Sequence, residues 1–490
     1  MGGIIGHVAT PTLSEQDRDT LSVMESLKLD NWLENHEVMV QQIINMVNAD
    51  NIRENLRELS RKPHLAGSSR DNELAELFRD RLLEAGFDTA DLVPYNVLLS
   101  RPNASNPNII SLHANSQEQW RSHYKEQELH ADDYDEDFIH AFNAFTPAAL
   151  VETEAGTGVV YVNYGRVEDF EQLDKLGVNI SGHIVMARYG KIFRGNKITH
   201  AERWGASGVI LFSDPADVAG LGQDPKDVYP NTEFLPGTGM QRGGTIKRKG
   251  DPLIPGWPAT DYAYRIPKEE AELPKIPAQP IGYDDARVIL EKLGGPAAPS
   301  EWVGGLKDVA YNLGPSWTQQ YNNWKLKLNT HNTNEVYRSY NVIGTIRGEV
   351  EPDRYVLIGN HRDAWGYGAI DPSSGTAHLL ETARVLGQLK KEGWRPRRTI
   401  VFCSWGAEEY GLIGSYEWVE EHLHKLQERA TAYINSDLCT EGPVLTAKAS
   451  PMLWNVLEEV VKKVPGVHSD GTLHDEWTAW FKVDQGLDAP

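Results

Sequence analysis

Residues 355–387 read YVLIGNHRDAWGYGAIDPSSGTAHLLETARVLG. The first five residues form a continuous apolar run that predicts a buried strand, and a polar turn follows directly. From Ser374 onward, apolar residues recur at helical spacing, and one face carries Leu379, Ala383 and Leu386. A buried strand, a polar turn and an amphipathic helix are typical of a sheet in which strands alternate with helices.

The same alternation continues on both sides of this stretch. Strands are predicted at 341–346, 398–404 and 432–436, and helices begin near Glu409 and Pro451, the last with Val456, Leu457, Val460 and Val461 buried. This pattern predicts an α/β sheet with helices on both faces. Earlier in the chain, residues 14–88 are predicted to be helical with Gly86 as a stop signal, and short β-like runs then alternate with turns up to about residue 335.

The charge of the chain argues against two classes of partner, nucleic acid as the main partner and anionic membrane surfaces. Acidic residues outnumber basic ones, 70 against 48, for a formal net charge of −22, whereas nucleic acid and anionic membranes attract the opposite sign. The two cysteines, Cys403 and Cys439, provide no disulfide framework. The sequons at Asn103 and Asn179 would carry glycans only in the secretory pathway. The apolar start, residues 1–9, is shorter than the roughly 20 residues of a spanning helix.

Four polar clusters lie at or just beyond the ends of the predicted strands. They are Asn360-His361-Arg362-Asp363, Asp371, Ala407-Glu408-Glu409 and Asn435-Ser436-Asp437. Because ligands of such sheets bind outside the carboxyl ends of the strands, we expect these side chains to meet there.

A hydrolase with two metal ions explains the residue types. It needs a carboxylate that bridges the ions, further O and N ligands, and a carboxylate that stays off the metal and takes a proton from water. Glu408 and Glu409 would supply one such base and one ligand. Asp363, two residues beyond His361, would orient the imidazole through its other nitrogen.

Each cluster also has a simpler interpretation. A single histidine at a strand end is more often a satisfied polar residue than a ligand. Glu408-Glu409 before a helix complements the helix dipole, and the Asp-Pro-Ser-Ser-Gly stretch from Asp371 is a good turn and helix cap. Capping alone does not place carboxylate or histidine clusters after three successive strands, so we favour the metal site.

Several stretches make the chain resemble the glutamate carboxypeptidase II and N-acetylated-α-linked acidic dipeptidase group of zinc peptidases, in the transferrin receptor-like superfamily. They are YNVIG at 340–344, VEPDRYV at 350–356, GWRPRR at 393–398 and WGAEEYGLIGS at 405–415. His361 and Asp371 stand at matching offsets, and the resemblance covers nearly the whole chain.

The resemblance implies a co-catalytic two-zinc exopeptidase, of carboxypeptidase or dipeptidase type, that hydrolyses short peptides. One zinc would be held by His361, Asp371 and Asp437. The other would be held by Asp371 as the bridge, by Glu409 and by a second histidine. Glu408 would be the general base that activates the water and then protonates the leaving amine.

The resemblance implies two further sites. A structural calcium ion would be bound by Glu417 and Glu420, with backbone oxygens near Ile254 and Trp257. Arg194 would bind a substrate carboxylate, although its simpler interpretation is a solvated loop cation.

The resemblance also implies a domain plan and a location. The division is an N-terminal remnant at 1–13, the first part of the peptidase domain at 14–100, an inserted β-rich protease-associated (apical) domain at 101–335, and the second part at 336–490. Relatives in this group are type II membrane proteins on the extracellular face of the plasma membrane. Residues 1–13 are then either the end of a membrane anchor or a loose terminus.

Two departures from the group's pattern affect what is expected. The second-zinc histidine and the C-terminal helical dimerisation domain would lie beyond Pro490, because neither His468 nor His474 stands in a Tyr-His context. The chain is therefore expected to be truncated, with a homodimer only where that domain is present. Gly244 replaces a pocket asparagine and Ala447 falls near a pocket arginine, so a broader dipeptidase specificity is as plausible as a glutamate preference.

Two other interpretations stay open at this point. The chain would be a non-catalytic, receptor-like ectodomain, as in transferrin receptor relatives, or an inactive truncated product. Four of the five zinc ligands implied by the resemblance are present, which favours an enzyme.

Overall fold

The computed structural model describes residues 36–130, 138–440, 442 and 444–484. In chain order its strands β1 to β15 are Thr89–Arg101, Ile109–Ala114, Gln117–Arg121, Asn143–Ala144, Ala149–Glu152, Val159–Tyr161, Ile184–Arg188, Gly208–Phe212, Gly243–Gly244, Ala278–Ile281, Trp324–Thr330, Thr333–Ile346, Glu351–His361, Arg398–Trp405 and Ala430–Asn435. After a helical stretch at 36–46, helices α1 to α11 are Ala49–Leu59, Ser69–Ala85, Val167–Lys175, Arg194–Arg203, Pro215–Val218, Tyr283–Leu290, Ser373–Lys391, Ile413–Glu421, Leu423–Arg429, Trp454–Val461 and Leu473–Asp484. The expected remnant at 1–13 lies outside the described residues.

The main sheet has five strands in the order β1-β12-β14-β13-β15. Strand β13 runs parallel to β14 and β15, whereas β12 is antiparallel to both β1 and β14. Helices α1, α2 and α7 pack on one face, in a core that includes Phe78, Leu386 and Phe402. The other face packs against Ile413 and Trp418 of α8. The α/β class predicted from the sequence is confirmed.

Helix α2 shows how local sequence sets this packing. Ser68 caps its first turn by accepting a hydrogen bond from the Asp71 amide at 3.2 Å. The helix ends at Gly86, whose φ of 104° is a left-handed conformation that favours glycine. Leu74 and Phe78, one turn apart, are buried against the sheet.

A large insertion separates β1 from β12. It contains a parallel sheet in the order β10-β8-β7-β6, called the insert sheet below, and an antiparallel sheet in the order β3-β2-β11-β5. The two share one apolar core. The chain leaves and re-enters the main sheet at one place, because Arg101 at the end of β1 is paired with Thr333 at the start of β12.

Two features differ from the prediction. Strand β1, thirteen residues long, was not predicted. In α10, Val461 is buried, but Val456 and Val460 are 57% and 49% exposed, so the predicted burial of that whole face is wrong. Helix α10 packs mainly against α11 and the turn before it rather than against the sheet. None of the described helices combines the length and apolar character needed to span a bilayer.

Candidate metal centre

The polar clusters after β13, β14 and β15 meet at one edge of the main sheet. His361 is the last residue of β13, and Asp371 lies in the turn before α7. Glu408 and Glu409 follow β14, and Asp437 follows β15. Because these three strands are parallel, their carboxyl ends lie side by side.

Three of these side chains converge on a common point. The Nε2 atom of His361 is 3.0 Å from Asp371 Oδ1 and 3.1 Å from Asp437 Oδ1. All three potential ligand atoms lie within 4.8 Å of one another. His468 lines the same open cavity of about 1060 Å³ as Asp437, but it is not part of this group of converging ligand atoms.

The protonation of His361 indicates what this arrangement can hold. Its Nδ1 atom is 2.9 Å from the backbone carbonyl oxygen of Asp363, which can only accept, so Nδ1 carries the proton. In the neutral ring, the Nε2 lone pair then faces two carboxylate oxygens. No well-aligned hydrogen bond reaches the buried Oδ1 of Asp437. Three ligand atoms that converge in this way could hold a cation between them, and a His/Asp/Asp set suits zinc.

The pKa shifts of the site residues are also what a cluster of carboxyl groups around one histidine produces. Although burial acts the other way, the nearby carboxyl groups of Asp363, Asp371 and Asp437 raise the pKa of His361. Burial, reinforced by neighbouring carboxylates, raises the pKa of Glu408 to about 7. Burial likewise raises the pKa of Glu409, with Asp371 adding to the effect. Raised pKa values are the expected effect of several carboxyl groups that share one site.

Glu408 lies close to the converging ligands, with Oε2 at 3.7 Å from His361 Nε2. Glu409 is electrostatically coupled to Asp371 and His361. The two glutamates belong to a turn and not to the first turn of a helix, because α8 begins only at Ile413. The simpler interpretation, a charge pair that complements a helix dipole, is therefore wrong.

Asp363 has a different contact from the expected one. Its carboxylate accepts hydrogen bonds from the backbone amides of Glu408 at 2.9 Å and Glu409 at 3.2 Å. The imidazole of His361 donates instead to the Asp363 backbone carbonyl, and its Nδ1 is 3.8 Å from the carboxylate. The carboxylate thus orients the glutamate turn, and the main chain orients the histidine.

The glutamate turn is also held by Asn341, which the sequence analysis did not single out. The Asn341 side chain accepts a hydrogen bond from the Gly406 amide at 3.0 Å and donates one to the Gly414 carbonyl at 2.7 Å. Ala407 between them has a φ of 57°, which is strained for a residue with a side chain. The available signal in the sequence was an amide directly before the apolar pair Val342-Ile343 of β12.

Arg194 approaches the centre from the insertion. It starts α4 and donates to the Gly244 carbonyl at 3.2 Å, while its Nε atom is buried without a hydrogen bond. A Cβ atom added to Gly244 would lie 2.7 Å from the Glu409 carbonyl oxygen, and one added to Gly243 would strike the Arg194 guanidinium. The insertion therefore packs its backbone directly on the glutamate turn.

The residues expected to bind calcium lie on α8. Glu417 is buried, and its two carboxylate oxygens accept the amides of Asp251 and Ala259, each at 2.6 Å. Burial raises its pKa to about 8. Glu420 is electrostatically coupled to Glu417, and Asp251 has one buried carboxylate oxygen without a hydrogen bond.

Comparison with known protein families finds a match for the second part of the chain. Residues 341–475 match the model of peptidase family M28, and they contain the three converging ligands, Glu408 and Glu409. Residues 144–245, within the insertion, match the PA domain. The peptidase resemblance predicted from the sequence is confirmed.

Two curated relatives and one solved structure extend the match. The chain is 40% identical over 487 residues to "Aminopeptidase NAALADL1" of Rattus norvegicus, covering 97% of this chain and 64% of the relative. It is 39% identical over 463 residues to a "Glutamate carboxypeptidase 2 homolog" of Caenorhabditis briggsae, covering 91% and 59%. The chain thus spans about three fifths of the length of these relatives. A peptidase M28 precursor from Shewanella amazonensis shares the fold, at a TM-score of 0.50 and 18% identity over 88% of this chain and 79% of that one.

Proposed function

We propose that this chain carries the catalytic region of a two-zinc exopeptidase that hydrolyses short peptides. One observation carries the proposal: His361, Asp371 and Asp437 converge within 4.8 Å of one another, with Glu408 beside them, at the ends of parallel strands. The M28 match and the peptidase names of the relatives support the same chemistry.

In this proposal His361, Asp371 and Asp437 hold one zinc ion, and Asp371 and Glu409 contribute to the second. When bound, the ions supply a Lewis acid that polarises the scissile carbonyl and lowers the pKa of the attacking water. Glu408 takes a proton from that water at its carboxylate and returns it to the leaving amine.

Two variants separate binding from chemistry. Glu408→Gln is expected to bind zinc with unchanged stoichiometry, while kcat on dipeptides falls by about 10²- to 10⁴-fold. Asp371→Asn is expected to lose zinc, because it removes the shared ligand. Metal content by atomic absorption and dipeptide hydrolysis are the measurements. Unchanged hydrolysis by Glu408→Gln, or no zinc in the unmodified chain, would reject the proposal.

We further propose that Arg194 recognises the free carboxylate at the end of a peptide substrate. Its guanidinium lies on the Gly243–Gly244 strand, next to the glutamate turn. Arg194→Met is expected to raise KM for peptides with a free C-terminal carboxylate and to leave KM for C-terminally amidated peptides unchanged. Equal effects on both substrates would favour aminopeptidase-type recognition.

A structural calcium ion bound by Glu417 and Glu420 is part of the proposal. Support comes from the buried Glu417 carboxyl group, with its raised pKa, and from the unpartnered oxygen of Asp251. Carboxylate and carbonyl oxygens are the ligands that calcium prefers. Calcium is expected to raise the Tm of the unmodified chain but not that of Glu417→Gln, and an equal shift in both would refute the site.

We also propose that the protein faces the extracellular side of the plasma membrane. The sequon at Asn179 is exposed, and its side chain accepts a hydrogen bond from the Ser181 amide at 3.1 Å. Expression through the secretory pathway is expected to give a glycan at Asn179 that Ser181→Ala removes. A mobility shift on peptide-N-glycosidase treatment measures it, and a chain insensitive to that enzyme would contradict the location.

A further inference from the structure

The loop between His361 and Asp371 contacts the segment His64–Asp71. In the chain, this segment precedes β1, the first strand of the main sheet. The amide of His64 donates to the Gly366 carbonyl at 3.2 Å, and the amide of Ala364 donates to the His64 carbonyl at 3.1 Å. This pairing holds the middle of the loop against the segment.

The same segment ends in a buried ion pair. Asp71 on α2 and Arg362 are both almost fully buried, with the Asp71 Oδ1 atom 2.9 Å from Arg362 Nε. The other Asp71 oxygen accepts the Gly67 amide at 2.8 Å. The remaining guanidinium nitrogens donate to Ser404 Oγ at 3.1 Å and to the Tyr340 carbonyl at 2.8 Å. One side chain thus ties α2 to β14 and β12.

Arg362 stands between two residues of the metal centre. On one side His361 supplies Nε2 to the converging ligands. On the other, Asp363 accepts the amides of Glu408 and Glu409. The Arg362 amide also donates to the Trp405 carbonyl at 2.8 Å, which continues the pairing of β13 with β14. The backbone of Arg362 therefore links the histidine directly to the support of the glutamate turn.

We propose that Asp71 is a positioning residue of the metal centre, which fixes the His361 imidazole and the Asp363 carboxylate by holding Arg362 between them. The inference rests on the proposed two-zinc function. Stability alone is a weak reason for such a pair, because apolar residues of similar volume often replace a buried ion pair without loss. Partners that orient metal ligands, in contrast, contribute about 10- to 100-fold to metal affinity.

Paired and single substitutions in the 490-residue chain test the proposal. Asp71→Leu combined with Arg362→Met removes both charges, and Asp71→Asn alters the carboxylate while keeping its volume. Both are expected to weaken zinc binding by about 10- to 100-fold. The double variant is expected to keep a Tm close to that of the unmodified chain. Zinc Kd is measured by chelator competition, and the visible absorption of the cobalt-substituted protein reports ligand geometry.

Glu381→Gln is the matched control. Glu381 is a buried carboxylate paired with Arg384 at 2.8 Å on α7, away from the metal ligands, and this substitution is expected to leave zinc affinity and the cobalt spectrum unchanged. Unchanged zinc affinity in the double variant, or an equal loss in the control, would overturn the positioning role. If the double variant does not fold, Asp71→Asn decides by the same measurements. If the unmodified chain binds no zinc, the two-zinc function fails, and the positioning role fails with it.

Discussion

The main sheet and the insert sheet both gather charged side chains at the carboxyl ends of parallel strands, but they balance the charge differently. In the insert sheet, Arg188 Nε donates to Asn163 Oδ1 at 3.0 Å, and its guanidinium lies 3.7 Å from Asp217. Tyr164 donates to the same aspartate at 2.8 Å. Buried Lys197 donates to two backbone carbonyls, each at 2.7 Å. These cations and acceptors satisfy one another.

At the strand ends of the main sheet, negatively charged side chains outnumber positively charged ones. Asp371, Asp437, Glu408 and Glu409 gather around the imidazole of His361, while the buried guanidinium of Arg362 is already paired with Asp71. Position at a strand end is therefore common to both sheets. The main-sheet edge differs in its excess of carboxylates over cations around His361, with Asp371 exposed and Asp437 half-buried.

The polar network at the insert sheet consists of Asn163, Tyr164, Arg188 and Asp217. Breaking it should have the largest effect on stability. Arg188→Met removes a buried guanidinium, its hydrogen bond to the buried Asn163 and its contact with Asp217, and is expected to lower the free energy of unfolding by about 3–4 kcal/mol, with or without zinc. Urea unfolding measures the loss. If zinc restored the free energy of unfolding of this variant, the networks of the two sheets would not be independent.

The segment His64–Asp71, which contacts the loop of the main-sheet site, should make the stability of the protein depend on pH. Burial lowers the pKa of His64 from 6.5 to about 4, so the unfolded chain binds more protons than the folded one between these values. Stability is complete above pH 6.5 and is expected to fall by about 3 kcal/mol as the pH drops to 4. Unfolding free energies across this range measure the slope. His64→Phe should remove the pH dependence of the unfolding free energy in this range. If the slope remained in this variant, His64 would not be its cause.

Zinc should act on the main-sheet network alone. At about 100 times its Kd, zinc is expected to raise the free energy of unfolding by about 2.7 kcal/mol. Asp371→Asn should remove this gain while leaving the metal-free protein as stable as before or more so, because one of the repelling carboxylates is gone. Thermal unfolding with and without zinc measures both. A full zinc gain in Asp371→Asn would show that the ion binds elsewhere.

The smallest effect concerns a single hydrogen bond of the insert sheet. Tyr164→Phe removes the hydroxyl that donates to Asp217 at 2.8 Å and is expected to cost about 1 kcal/mol. The substitution should leave zinc binding unchanged. A change in zinc affinity would mean that the two networks are coupled.

The sequence predicted the strand and helix pattern around the site because β13 and β14 are buried apolar runs followed by polar residues. It missed β1, whose Pro94 and Asp91 interrupt any apolar pattern. These residues are tolerated because β1 is an edge strand. The strand is specified by its pairing with β12, which lies far away in sequence.

Within the site, the residue types were predictable, but several contacts were not. The spacing of Asp363 from His361 could not distinguish a bond to its carboxylate from a bond to its main-chain carbonyl. The pairing of Asp71 with Arg362 joins residues 291 positions apart, so no local pattern reveals it. Metal-ligand chemistry leaves a signature in residue type, whereas the supports of the ligands depend on tertiary packing.

The pairing of Arg101 with Thr333 has a consequence for the history of the chain. The insertion leaves and re-enters the main sheet between two neighbouring antiparallel strands, so its gain or loss in evolution need not change the order of the main-sheet strands. A shortened gene that joins these two positions by a tight turn would retain the β1–β12 hairpin. It would lose the contact of Gly244 with Glu409 and the insertion residues, such as Phe142 and Ile254, that share a core with Trp405.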